Sequence, residues 1–150
     1  MSVTDTLQAR LAAIYTADTG ATGLNNSSST AYVRAWFYSR DPNSDQRNSQ
    51  RNWPYVVVNI AAQPMHSSAC QKYRMGVQMM VYFDRQSMVN DSSATMFAVV
   101  ERLRTVFHGV TPATQNDWYF SPLQIRDERE GPANGIELVQ IVEFLTYATN

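Results

Sequence analysis

Cysteine is almost missing from this chain: Cys70 stands alone among 150 residues, so no intrachain disulfide can form and a disulfide-stapled secreted design is excluded. Histidine is nearly as scarce. His66 and His108 are the only two, and neither falls at a metal-ligand spacing with Cys70 or with a carboxylate pair. His66 and Cys70 are four residues apart, but "QPMHSSACQ" reads as a turn entering a strand, which argues against a Cys–His nucleophile. There is no glycine-rich phosphate loop, no Gly-x-Ser-x-Gly elbow and no Cys-x-x-Cys pair. No stretch approaches the roughly twenty apolar residues of a membrane span. A net charge of −1 gives no electrostatic reason to expect a nucleic-acid or membrane-surface partner. The opening "MSVTDTLQARLAAIYTADTG" interleaves acid with base, unlike a signal peptide, so the chain is expected to stay in the compartment that makes it or leave with something larger. Lysine is down to one residue, Lys72, against eleven arginines. Arginine is the cation favoured at protein interfaces, because its guanidinium is flat and weakly hydrated; codon bias produces the same skew.

What is present reads as one domain over residues 1–150, with mobile loops at about 18–30 and 39–52. Leu7, Leu11, Ile14 and Tyr15 recur at helical spacing, with Thr4 or Thr6 to cap the helix and Gly20 to stop it. Residues 18–30, "DTGATGLNNSSST", are turn-rich with nothing to bury. "AYVRAWFYS" reads as a strand with Val33, Ala35 and Phe37 on one side and Tyr32, Arg34, Trp36 and Tyr38 on the other. A polar segment, 39–52, leads to the strand Tyr55–Ala62, and a third strand follows in "KYRMGVQMMVYFD". A second helix runs from about Asp91 to Phe107, capped by Asp91 or Ser92 and stopped by Gly109. "LQIRDERE" and "IELVQIVEFLTYA", joined by "GPANG", read as a hairpin. The expected fold is α+β: a mainly antiparallel sheet of four to five strands with two helices packed on one face.

One face of that sheet is core. The opposite face would carry Tyr32, Arg34, Trp36, Tyr38, Tyr55, Val57, Asn59, Arg74, Gln78, Met80 and Tyr82, and the last strand adds Val139 and Ile141 on one side of Glu137 and Glu143. Aromatics, Met and Arg with few lysines make up the composition enriched at protein contacts, and a monomer rarely leaves a large apolar patch open. Either a loop of the same chain or a neighbouring subunit is expected to cover it. "RDEREG", residues 126–131, is the densest charge cluster, and its interleaved arginines suit a solvated hairpin tip better than a paired-carboxylate site.

In the order and lengths of these elements ("TLQARLAAIY", "WPYVVV" after a polar loop, "MVYFD", "ATMFAVVERLRTVF" and "IELVQIVEFLTYA") the chain resembles the tail terminator, or tail completion, proteins of long-tailed bacteriophages. The resemblance implies a non-enzymatic virion protein, assembled in the host cytoplasm. It would form a hexameric ring at the head-proximal end of the tail tube, stop tube polymerisation and join tail to head. Its partners would be copies of itself, the tail tube protein and a head connector or neck protein. Genome DNA would pass through the lumen without sequence-specific binding, and no membrane would be involved. No catalytic, cofactor or metal site is assigned. The candidate interface residues are Tyr32, Arg34, Trp36, Tyr38, Arg47, Arg51, Trp53, Arg126, Glu128 and Arg129. The competing readings are another connector, neck or minor capsid component, a small ligand-binding domain or enzyme with a pocket under the polar loop, and a single-stranded nucleic-acid binder built on Arg34, Trp36 and Tyr38.

Overall fold

In the computed structural model, which describes residues 2–38, 53–65, 70–85, 93–132 and 137–150, the first helix, α1 (Val3–Ala17), begins where a hydroxyl satisfies its orphan amides. That hydroxyl is Ser2, ahead of the expected Thr4 or Thr6: Ser2 Oγ accepts from the Asp5 amide at 3.1 Å and donates to the Asp5 carboxylate at 2.7 Å. Thr6 donates back to the Ser2 carbonyl instead. Leu7 and Leu11 are fully buried, with Ile14 and Tyr15 packed beside them.

The loop after α1 buries more than its composition suggests. Asp18 accepts from the Leu24 amide at 2.8 Å, and Asn26 Nδ2 donates to the carbonyls of Thr19 and Gly20. This turn drives Leu24 into the core with no exposure, against the expectation that the loop has nothing to bury. It also presses Gly23 so close to Asp18 that a Cβ there would lie 2.3 Å from the Asp18 carbonyl oxygen.

The strands are β1 (Ala35–Tyr38), β2 (Tyr55–Met65), β3 (Lys72–Asp84), β4 (Tyr119–Phe120), β5 (Gln124–Glu130) and β6 (Glu137–Thr149), and α2 (Ser93–Phe107) lies between β3 and β4. The sheet order is β1-β2-β3-β6, and β6 carries β5 and β4 along its far edge. Among the described residues six strands form where four or five were expected, and the sheet is mixed: β1 pairs with β2 in parallel, while the other pairs are antiparallel. Parallel neighbours need a crossover of about a dozen residues or more. The stretch of sequence between Tyr38 and Tyr55 is long enough for one.

The long pair β3–β6 runs from Lys72↔Thr149 to Asp84↔Glu137. Strand geometry alternates side chains. Met75, Val77, Met79, Val81 and Phe83 therefore join Val142, Phe144 and Ala148 on the helix side, all buried. Both helices pack there, as expected, through Leu7, Leu11, Val99, Leu103 and Phe107. After α2 the chain turns at Gly109, whose φ of 79° favours glycine.

Asp18 also clamps the two helical segments. Arg102 on α2 grips its carboxylate in a bidentate pair, with Arg102 Nε donating at 3.0 Å. The hydrogen bonds from Arg102 hold the Asp18 carboxyl below its ordinary pKa, over the opposing effect of burial. A depressed folded-state pKa gives stability that is complete above the unfolded carboxyl's value, about 3.9, and lost as pH falls through the folded value. Asp18→Asn should therefore cost about 1–2 kcal/mol in urea unfolding at pH 7, with the gap from wild type closing as the pH drops below 4. A gap unchanged by acid would contradict the clamp.

Candidate functional site

The register sorts the second face into rows. Tyr55 faces Tyr82 and then Val139; Val57 faces Met80 and Ile141; Asn59 faces Gln78 and Glu143; Ala61 faces Gly76 and Leu145; Gln63 faces Arg74 and Tyr147. Rows near the start of β2 are apolar and closed. Those toward its end are polar, small and open.

In the closed half Trp53, Tyr55, Val57, Val139 and Ile141 are buried. Tyr55 stacks on Tyr82 at 4.8 Å between ring centroids, and Phe37 meets Tyr55 edge-on at 5.8 Å. Gly131 donates its amide to the Val139 carbonyl and lies against this surface so tightly that a Cβ would be 2.8 Å from Val139 Cγ1. The acid Glu137 is buried at 2% exposure and accepts from the Tyr55 hydroxyl and from Trp53 Nε1. A buried acid needs such donors, because desolvation is otherwise uncompensated.

At the boundary a polar ladder crosses four strands. Asn59 Nδ2 donates to Gln78 Oε1 at 3.5 Å, Gln78 Nε2 to Glu143 Oε1 at 3.3 Å, and Arg129 to Glu143 at 2.6 Å and Asp127 at 2.8 Å. Beyond it Ala61 and Gly76 leave a trough of about 300 Å³, bounded by the ladder and by Arg126. Arg126 is placed there by the irregularity in β5 between Ile125 and Asp127.

The candidate residues scatter. Trp53 joins the closed half through Glu137, and Arg129 and Arg126 join the ladder and the trough. Glu128 lies on the opposite side, in a bidentate pair with Arg104 of α2 at 2.7 and 2.8 Å. Arg47 and Arg51 lie outside the described residues. Tyr32 and Arg34 precede β1; Arg34 is exposed, and its amide donates to the Pro54 carbonyl.

Trp36 and Tyr38 are on the helix side, the reverse of the expected assignment. Parallel pairing sets Trp36 beside Val56 and Tyr38 beside Val58, while Ala35 and Phe37 face the second side with Tyr55 and Val57. Trp36 is stacked between Tyr15, at 4.7 Å, and Phe107, at 5.8 Å. Strand alternation holds only from Ala35, where β1 starts, and does not extend back to residue 32. Val33 is held outside it, its amide donating to the Leu24 carbonyl and its carbonyl accepting from the Tyr15 hydroxyl. The single-stranded nucleic-acid platform of Arg34, Trp36 and Tyr38 therefore does not assemble.

His108 accepts the Ile125 amide on Nδ1 at 3.1 Å, a structural use of the ring. Cys70 is exposed, and His66 lies outside the described residues. Among the described residues no group of three or more His, Cys, Asp or Glu is placed to hold a metal, and no helix is long and apolar enough to cross a membrane. Glu137, the ladder and the Ala61–Gly76 trough were not singled out from sequence. Their signal was present as Asn59, Gln78 and Glu143 interrupting three apolar faces, but it becomes a row only once the strands are paired.

No family model and no curated protein matches the chain. Solved structures do. A chain from the virion of a native gene transfer agent particle superposes with a TM-score of 0.62 at 10% identity, covering 99% of this chain and 96% of that one. Another solved chain gives a TM-score of 0.58 at 10% identity over 95% of both. At such identity the likeness is one of fold.

The placement of Trp36 has a measurable consequence. Trp36→Ala should lower stability by about 3 kcal/mol, the range of large aromatic-to-alanine losses in a core. Urea unfolding checks this, and a loss below about 0.5 kcal/mol, typical of surface sites, would put Trp36 back on an open face.

Proposed function

We propose that this chain is a structural virion protein of a phage or phage-like particle, without enzymatic activity, that caps the head-proximal end of a tail tube as a hexameric ring. In that role it ends tube polymerisation and offers the surface on which the head connector docks, while the genome passes through the lumen without sequence-specific contacts. The observation that carries this reading is the fold shared over nearly the whole chain with a gene transfer agent virion component. The likeness of element order to tail terminators points the same way. A near-neutral charge suits a lumen wall that must let DNA slide rather than hold it.

The second face is consistent with an assembly role in a narrower form than composition suggested. Its aromatic half is closed by the chain's own Trp53, Gly131 and Glu137 region, so among the described residues the half beyond the polar ladder, with the strand margins, is what is left to meet neighbours. A ring subunit needs two different complementary flanks, since head-to-tail contacts close a ring only when they differ.

Gold-labelled antibody against this chain, viewed on assembled particles, tests the position. Label confined to the head-proximal end of the tail is the expected result. Label on the capsid shell or at the distal tip would overturn the capping role, and label on the head side of a separated neck would transfer the chain to the connector.

A further inference from the structure

We infer that the trough over Ala61 and Gly76 is a binding site for an extended acidic segment of a partner protein. Its shape comes from the register. Ala61 of β2 faces Gly76 of β3, so two neighbouring strands present no side chain beyond a methyl group, and the backbone itself forms the floor. A Cβ built on Gly76 would meet nothing closer than the Ala61 carbonyl oxygen at 3.9 Å, so the space is open and is not filled by neighbouring side chains. On β6 the trough is bounded by Glu143 and Phe144. The cavity of about 300 Å³ suits a few residues of chain lying across the strands rather than a bulky ligand.

The walls set the chemistry. On one side run the amides of Asn59 and Gln78, each using a single N–H in the ladder, so a second N–H remains for the carbonyls of an incoming backbone. Charge decides the rest. Arg102, Arg104 and Arg129 are each committed to a carboxylate. Arg126, on the rim, has no hydrogen-bond or ion-pair partner among the described residues, and neither has Arg74, which precedes Gly76 by one step along the same face of β3. Lys72, at the same end of β3, rests its ammonium over the Tyr147 ring at 5.7 Å. The acid on the rim among the described residues, Glu143, shares Arg129 with Asp127, so this end of the ladder is net −1, against the three cations Arg126, Arg74 and Lys72. The open half of the face is thus a shallow groove with unspent cations and amide donors, complementary to carboxylates on an extended strand. Such a strand places every second side chain on one side. The inference concerns recognition in solution and does not rest on where the chain lies in a virion.

A fluorescein-labelled peptide alternating Glu and Ala is the probe, with Gln–Ala and Lys–Ala versions as controls, read by fluorescence anisotropy on the full chain. Saturable binding of the Glu peptide alone is expected, weakening as salt is raised. Arg126→Glu and Gly76→Leu, the second filling the trough, should each weaken it about tenfold or more. Arg126→Ala, at an exposed position, keeps the test valid should Gly76→Leu unfold the protein, and thermal melts identify that case. No saturable binding, equal binding of the Gln peptide, or affinity unmoved by the Arg126 variants would overturn the site. Sedimentation showing an assembly that Arg126→Glu dissociates, with no peptide bound, would give the trough to a second copy and overturn it equally.

Discussion

The pairing of β3 with β6 is the constraint on which the rest of the molecule depends. Thirteen residues of each strand are matched one to one, and both strands are flanked, so every side chain in them is committed to a face. A slip of one residue would send Met75, Val77, Met79 and Val81 to the second side and bring Arg74, Gln78 and Tyr82 under the helices. Each such polar group would be buried without a partner, at about 1–3 kcal/mol apiece. The ladder from Asn59 through Gln78 to Glu143 and Arg129 holds the same register from the other side, since its members meet only in this alignment.

That alignment divides the second face. Toward Asp84 and Glu137 it makes a small second core, where stacked tyrosines and a buried acid satisfy one another. Toward Lys72 and Thr149 it leaves small residues and cations facing outward. One sheet therefore supplies both an interior that needs no neighbour and a surface suited to meeting one. Part of the arginine richness also resolves into structure: Arg102 ties α2 to the α1 loop, Arg104 ties α2 to β5, and Arg129 ends the ladder. These pairs are largely local supports, and the exposed ones are worth little each.

Much of this was legible in the sequence, and the failures have definite causes. The two helices, the alternation of β3 and the terminal hairpin follow from periodicity, because each is long enough to show its period. The parity of β1 failed because the strand has four residues and follows an irregular stretch in which Val33 is pinned by Leu24 and Tyr15. The parallel pairing failed because the polarity of the sequence between β1 and β2 carries no information on the direction in which the next strand runs. Glu137 was legible only as one polar residue in an apolar strand, since its donors, Trp53 and Tyr55, are more than eighty residues away in sequence. The trough is a juxtaposition of two small residues from different strands, which no linear pattern contains.

Native-state hydrogen exchange tests the organising role of the β3–β6 ladder most directly. The amides of Met75–Phe83 and Val139–Thr146 should exchange last, only through global unfolding, while the short strands β1 and β4 open earlier. Exchange of the β3–β6 amides by local opening, ahead of the helices that pack on them, would contradict the account.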